Sequence, residues 1–152
     1  MRIPPPVALV GALAVSAGLA AIDPTRRSSP ALRTAGAALA GAGVAVALAG
    51  VAAFRRRHTT VDPRHPERAT ALVDAGVYRR SRNPMYVGLV AVAGGAAAAS
   101  GSALAAAGPA LLAAYLDRVQ IPAEERALQA RFGPAFDAYA RAVPRWAGRR
   151  SL

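Results

Sequence analysis

Few residues in this chain carry reactive groups, and their positions narrow the chemistry open to it. The most concentrated acidic feature is the pair Glu124-Glu125, two residues after Pro122. Two tyrosines, Tyr78 and Tyr86, flank the run Arg82-Asn83-Pro84. His58 and His65 stand seven apart in an arginine-rich strip beside Pro63 and Pro66, a setting for exposed residues at a membrane surface rather than for ligands or a general base. There is no cysteine, which removes disulfides, thiolate metal sites and thiol nucleophiles together, and two histidines alone do not make the usual three protein ligands of a catalytic zinc site. No metal is expected, and no side chain identifies itself as a catalytic nucleophile. What remains is recognition by charge and position: acids in the first turn of one helix and free N–H groups at the start of another.

The elements that must position these groups follow from composition. The chain has 152 residues, enough for about one domain, with 54% apolar residues, 41 alanines, 14 glycines and a net charge of +11. So basic a chain invites a nucleic-acid reading, but the apolar residues lie in long unbroken blocks and no aromatic interleaving or binding motif accompanies the arginines, so no nucleic-acid partner is expected. Residues 4–22 and 34–54 carry no charge, each near the roughly 20 residues that cross a bilayer. A third uncharged stretch, 83–116, is interrupted by Ser100-Gly101-Ser102 and reads as a helical hairpin with arms near 85–99 and 103–116. The arms are short for a bilayer, so either the turn residues lengthen them or the hairpin stops short of the far surface.

The expected fold is therefore all-α: residues 1–152 as a single polytopic membrane domain of about four transmembrane helices, two spans plus a hairpin. The intervening 55–84 and the tail 117–152 are cytoplasmic, the tail forming amphipathic helices. Arginine placement sets this orientation. Residues 55–82 hold eight arginines, the tail seven, and Arg2 makes sixteen on one face, against Arg26, Arg27 and Arg33 on the other; by the positive-inside rule the richer face is cytoplasmic. Pro4-Pro5-Pro6 and a single arginine make a poor signal-peptide n-region, so the first span is read as retained, in a bacterial-type inner membrane. Gly36, Ala40, Gly41 and Gly43 suit close helix packing, although in so alanine-rich a chain their spacing specifies no partner.

In the polar stretches, Asp74-Ala75-Gly76 reads as a turn, and Asn83-Pro84 as a helix start with Asn83 the N-cap and Pro84 the first helical residue. Ile121-Pro122 reads as a second helix opening. Leu128, Phe132, Phe136, Tyr139 and Val143 recur at three- and four-residue steps as one apolar face, with a break at Gly133-Pro134. Such a basic amphipathic segment lies on an anionic membrane surface and covers whatever the hairpin presents there.

Leu72-Val73-Asp74-Ala75-Gly76-Val77-Tyr78, Arg82-Asn83-Pro84-Met85-Tyr86-Val87-Gly88, the uncharged hairpin, Glu124-Glu125, and Phe132-Gly133 followed by Tyr139 and Val143-Pro144-Arg145 occur in this order. Together they resemble the isoprenylcysteine carboxyl methyltransferase family and the related phospholipid methyltransferases, over roughly residues 55–147. The resemblance implies an integral membrane enzyme using S-adenosylmethionine, bound at the cytoplasmic end of the hairpin under the C-terminal helices. Carried over by position, the cofactor residues are Thr70, Ala71, Leu72, Val73, Tyr78, Asn83, Pro84, Met85, Tyr86 and Glu124, with Glu125 an adjacent candidate.

S-adenosylmethionine joins a sulfonium, an ammonium and a carboxylate to an adenosine, so its site needs an acid, N–H or guanidinium donors, and apolar or aromatic walls. Glu124 or Glu125, the Asn83-Pro84 helix start, and Leu72, Val73, Tyr78 and Tyr86 supply these in turn, and tyrosine faces favour a sulfonium. Methyl transfer depends mainly on alignment and exclusion of water, which suits a chain poor in reactive side chains. The eukaryotic isoprenylcysteine enzymes carry histidine at the positions of Thr70 and Asn83, and an arginine for the substrate carboxylate where this chain has Gln120; the nearest arginine is Arg118. Gln120 and Arg118 are thus the candidate substrate-binding residues. The expected partners are membrane lipid and a small or lipidic methyl acceptor entering from the bilayer. The competing reading is a non-catalytic membrane protein that binds anionic lipid or a partner through its basic cytoplasmic segments.

Overall fold

The computed structural model describes residues 2–56 and 72–148. Among them there is no strand. The helices are α1 (Pro5–Ile22), α2 (Pro30–Arg56), α3 (Pro84–Ser100), α4 (Ala107–Tyr115), α5 (Ile121–Phe132) and α6 (Pro134–Ala142). Short 3-10 turns at Gly76–Arg79 and Leu104–Ala106 precede α3 and α4. Proline opens α1, α2, α3 and α6, a position where its missing N–H leaves no hydrogen bond unmade and its fixed φ suits the helix.

By length and composition, α1 and α2 are the two described helices able to cross a membrane; α3, with 17 residues, is apolar but shorter. Neither long helix is a buried core helix. Val7, Val10 and Val15 on α1 and Leu39, Val44 and Leu48 on α2 are all exposed, an arrangement suited to a lipid environment and unfavourable in water. The second span starts earlier than its charge-free stretch, taking Arg33 into its first turns, where the guanidinium donates to Ser28 Oγ at 3.0 Å. Of the two hairpin arms only the first takes in a turn residue; the second begins with a 3-10 turn and becomes α-helical at Ala107. α3 begins at Pro84 and ends at Ser100, and Gly101, at φ 72°, closes it in the left-handed conformation that glycine adopts without steric cost.

α3 is the central helix, packed against α1, α2 and α4. Its contact with α2 is glycine on glycine. A methyl group at Gly36 would overlap the Gly95 carbonyl, and one at Gly43 would lie 2.6 Å from the Gly88 carbonyl. Both pairs repeat at seven residues, so two antiparallel helices meet along nearly bare backbone, where dispersion contacts are strongest. Gly108 plays the same part between α4 and α1, against Ala12 and Ser16, and Ser16 Oγ donates to the Ala105 carbonyl at 2.8 Å.

The end of the bundle opposite the arginine-rich segments is fastened by hydrogen bonds. Ser102 Oγ donates to Asp23 Oδ2, and the Thr25 amide and hydroxyl donate to Asp23 Oδ1. The Arg27 amide donates to the Gly101 carbonyl at 2.9 Å and Arg26 Nε to the Ser100 carbonyl at 2.8 Å. The α1–α2 loop is thereby held to the α3–α4 turn.

One expected boundary is absent. Ile121-Pro122 does not open a separate helix: α4 runs into α5 through a π-helical turn, Leu116–Gln120. Pro122 has no N–H to give, and its ring crowds the preceding turn. A π turn immediately before it, with the Ile121 amide bonded to the Leu116 carbonyl, takes up the misfit without breaking the helix. The break at Gly133-Pro134 is present, with Gly133 at φ 50° between α5 and α6.

Candidate active site

The chemistry-bearing residues gather at the arginine-rich end, where the segment before α3 meets α5, α6 and residues 143–146. Gly76, at φ 62°, starts the 3-10 turn that carries Tyr78 inward, leaving it 4% exposed. Its ring stands edge-on to Phe54 at the end of α2, centroids 5.4 Å apart, and its carbonyl accepts from Tyr139 Oη of α6 at 2.9 Å. The Arg82 amide donates to the Pro144 carbonyl, and Ser81 Oγ to the Arg145 carbonyl. Asn83 precedes α3 as expected, but its side chain makes no cap hydrogen bond. Instead Nδ2 donates to the Arg145 carbonyl at 3.1 Å, a tertiary partner 62 residues away that the local pattern does not disclose.

The two adjacent acids have different tasks. Glu125 is bridged by Arg82 at 2.6 Å and Arg145 at 2.7 Å, and Arg82 also donates to the carbonyls of Ala140 and Val143. Arg145 and the Trp146 indole reach Asp117 in the π turn at 3.2 and 2.9 Å. Partial burial raises the Glu125 pKa, but hydrogen bonds from Arg145 and Arg82, with their charges, outweigh it and hold the carboxyl below its ordinary value. Glu125 is therefore committed to fastening α5 and the tail onto the start of α3.

Glu124 has no arginine bridge among the described residues. Its Oε1 accepts from Tyr86 Oη at 2.5 Å and from Gln120 Nε2 at 2.6 Å, and among those residues no hydrogen bond falls on Oε2. Burial raises its pKa above the ordinary carboxylate value, against the lowering effect of those two donors. The result is a desolvated carboxylate, oriented by two neutral donors, with one oxygen available to a cationic ligand.

A cavity of about 90 Å³ lies between these elements. Of the residues expected at a cofactor site, Leu72, Val73, Tyr78, Asn83 and Met85 line it from one side of the chain's fold, and Tyr86, Glu124 and Glu125 complete that set. Pro84 is buried at the head of α3 without lining the cavity. Thr70 and Ala71 lie outside the described residues, as do His58 and His65. Gln120, 2% exposed, stands behind the wall as a donor to Glu124. Arg118 is elsewhere, in an open depression with Arg2 and Arg126. The structure adds Phe54, Arg82, Leu128, Phe136 and Tyr139 to the lining. The apolar periodicity of the tail marks the last three, and Arg82 adjoins the Asn-Pro pair, but nothing in the sequence signals Phe54 beyond its place at the end of a span.

The lining suits an adenosyl sulfonium ligand in part: a carboxylate for an ammonium and aromatic and aliphatic walls, while the one guanidinium that lines it, Arg82, is already engaged by Glu125 and two carbonyls. In size it is tight. At about 10–15 Å³ per water it has room for roughly six to nine waters, less than S-adenosylmethionine fills, so such a ligand must spread the walls or extend through the mouth. Among the described residues no group of three or more acidic or histidine side chains is placed to hold a metal ion.

In comparisons with known proteins, a family model described as phospholipid methyltransferase matches residues 32–135. No curated protein and no solved structure matches the chain.

Proposed function

The chain belongs to the phospholipid methyltransferase family, and from that premise we propose that it is an integral membrane enzyme moving a methyl group from S-adenosylmethionine to a lipidic acceptor at the cytoplasmic end of four spanning helices. The observation that carries this reading is the cavity in which Tyr86 and the Asn83 turn meet Glu124, brought together across 38 residues or more. The arginine asymmetry supports the orientation, and the outward apolar faces of α1 and α2 support the membrane setting.

When bound, the cofactor supplies a methyl carbon made electrophilic by its sulfonium. Glu124 would hold the ligand's ammonium, with Tyr86 and Gln120 keeping its carboxylate oriented. Arg82, fixed by Glu125 and two carbonyls, presents positive charge toward a ligand carboxylate. Phe54, Tyr78 and Tyr139 form walls that exclude water and favour a positively charged sulfur. Rate enhancement would come chiefly from positioning the reacting groups and excluding water, and the exposed apolar surface of the bundle would give a lipid-soluble acceptor a lateral route to the site. The acceptor class, a phospholipid headgroup or a prenylcysteine carboxylate, follows from which product forms.

The test is twofold. Detergent-purified protein is titrated with S-adenosylhomocysteine, and lipid extracts are incubated with methyl-labelled cofactor. Micromolar binding that is lost in Glu124→Ala, with label entering a lipid fraction, is the expected result. Absence of both binding and labelling would leave the non-catalytic reading and overturn this one.

A further inference from the structure

Outside the cavity, on the opposite side of α5, Arg2, Arg118 and Arg126 line one open depression with Val119, Ala123 and Ala127. The three arginines come from distant parts of the chain. Arg118 and Arg126 stand eight residues apart on the π turn and α5, and Arg2 is brought beside them by the hydrogen bond from Tyr115 Oη to the Ile3 carbonyl at 2.8 Å. All three are exposed, and among the described residues none of them forms an ion pair. No acid lines the depression. The acids nearest in sequence make their hydrogen bonds elsewhere, Asp117 to Arg145 and Trp146, Glu124 to Tyr86 and Gln120, and Glu125 to Arg82 and Arg145, although Asp117 still feels the charge of Arg118 and Glu124 that of Arg2. The floor is small and apolar. Leu111, Tyr115 and Val119 recur at four-residue steps leading away from it along α4, with Leu111 and Val119 exposed and Ile3 exposed beside them.

We infer that this depression is a binding site for an anionic phospholipid of the cytoplasmic leaflet, its phosphate seated among the three guanidiniums and its acyl chains lying along the Leu111–Val119 stripe. Guanidinium is the side chain best matched to phosphate oxygens, forming paired, charge-assisted hydrogen bonds. Three such groups concentrate positive charge that Glu124 and Asp117 offset from a distance without pairing, and an adjoining apolar stripe distinguishes a lipid from a free ion. The site is separate from the cavity and does not depend on methyl transfer.

The experiment measures thermal unfolding of the full chain in detergent, titrated with phosphatidylglycerol, phosphatidylcholine or inorganic phosphate. A saturable rise in midpoint with phosphatidylglycerol is expected, with at least tenfold more lipid required in the triple variant Arg2→Gln/Arg118→Gln/Arg126→Gln. A second triple variant, Arg55→Gln/Arg79→Gln/Arg80→Gln, removes equal charge elsewhere and should respond as the parent does. If the first triple variant does not fold, Arg126→Gln alone, at an exposed position, is expected to need severalfold more lipid. Equal weakening in both triple variants would reduce the effect to general surface charge, and an equal response to phosphatidylcholine or to inorganic phosphate would remove the anionic lipid; either result overturns the inference.

Discussion

The Tyr86 hydroxyl donates to Oε1 of Glu124, tying the first turn of α3 to the first turn of α5 at the wall of the cavity. Gln120 donates to the same oxygen, so among the described residues the other carboxylate oxygen receives no hydrogen bond. Glu124→Gln keeps the size of the side chain and removes its charge. A hydrogen bond to a charged group contributes about 1.5–3 kcal/mol, so affinity for S-adenosylhomocysteine should fall about ten- to a hundredfold by calorimetry, with the unfolding midpoint little changed. Tyr86→Phe should lose less. An unchanged affinity in Glu124→Gln would place the ammonium elsewhere.

The raised pKa of Glu124 predicts how that affinity depends on pH. Ligand binding requires the ionised carboxylate, so affinity should decline as pH falls through a value above the ordinary 4.5. A bound cation favours ionisation, so the complex should titrate at lower pH than the free protein. Titrations from neutral pH down to the ordinary 4.5 on the parent and on Glu124→Gln separate this group from the rest, because the variant should show no such decline.

Glu125 behaves oppositely. Its pKa is lowered on folding, so the stability it contributes is complete above the ordinary 4.5 and is lost as pH falls through its lower folded value. Glu125→Gln leaves Arg82, with a side chain only 10% exposed, facing an unpaired partner. Breaking a buried pair costs about 3–5 kcal/mol; the 19% exposure of Glu125 puts the expected loss near the low end. Arg145→Gln, at 34% exposure, should cost less than about 1 kcal/mol. Denaturation of the detergent-solubilised variants orders the two, and a larger loss for Arg145→Gln than for Glu125→Gln, which removes both bridges, would contradict the role of Glu125 as the centre of this fastening.

The α2–α3 interface gives a matched pair of glycines. Gly88→Ala drives a methyl group into the Gly43 carbonyl and the Ala47 side chain, whereas Gly41→Ala meets nothing within 4 Å. Overpacking of a fixed interface costs about 1–3 kcal/mol, so Gly88→Ala should lower the unfolding midpoint while Gly41→Ala leaves it unchanged. Equal behaviour of the two would mean that α2 and α3 do not meet at Gly88.

Much of this architecture was legible because bilayer-length apolar blocks and the Gly133-Pro134 break are local signals. The apolar face of the tail was legible for the same reason, and Leu128, Phe136 and Tyr139 do line the cavity. What escaped depends on contacts distant in sequence. Asn83 has the composition of a cap, yet its partner is the carbonyl of Arg145. Pro122 looks like a helix start because a π turn that absorbs proline leaves no mark in residue type. Gly36 and Gly43 are suited to close packing and do pack closely, but the sequence does not name the facing residues, Gly95 and Gly88. Arg82 stands in the sequence as a topogenic charge and as the head of the Asn-Pro run, and its role as a cavity wall needs Glu125 and the carbonyls of Ala140 and Val143 in place.

The fastening of Asp23 to Ser102 and of Arg27 to Gly101 lies at the far rim from the cavity. The cavity rim carries its own ties, Arg82 and Arg145 to Glu125 and Tyr86 to Glu124, so α3 is anchored at both of its ends and serves as the fixed post against which the other helices are set.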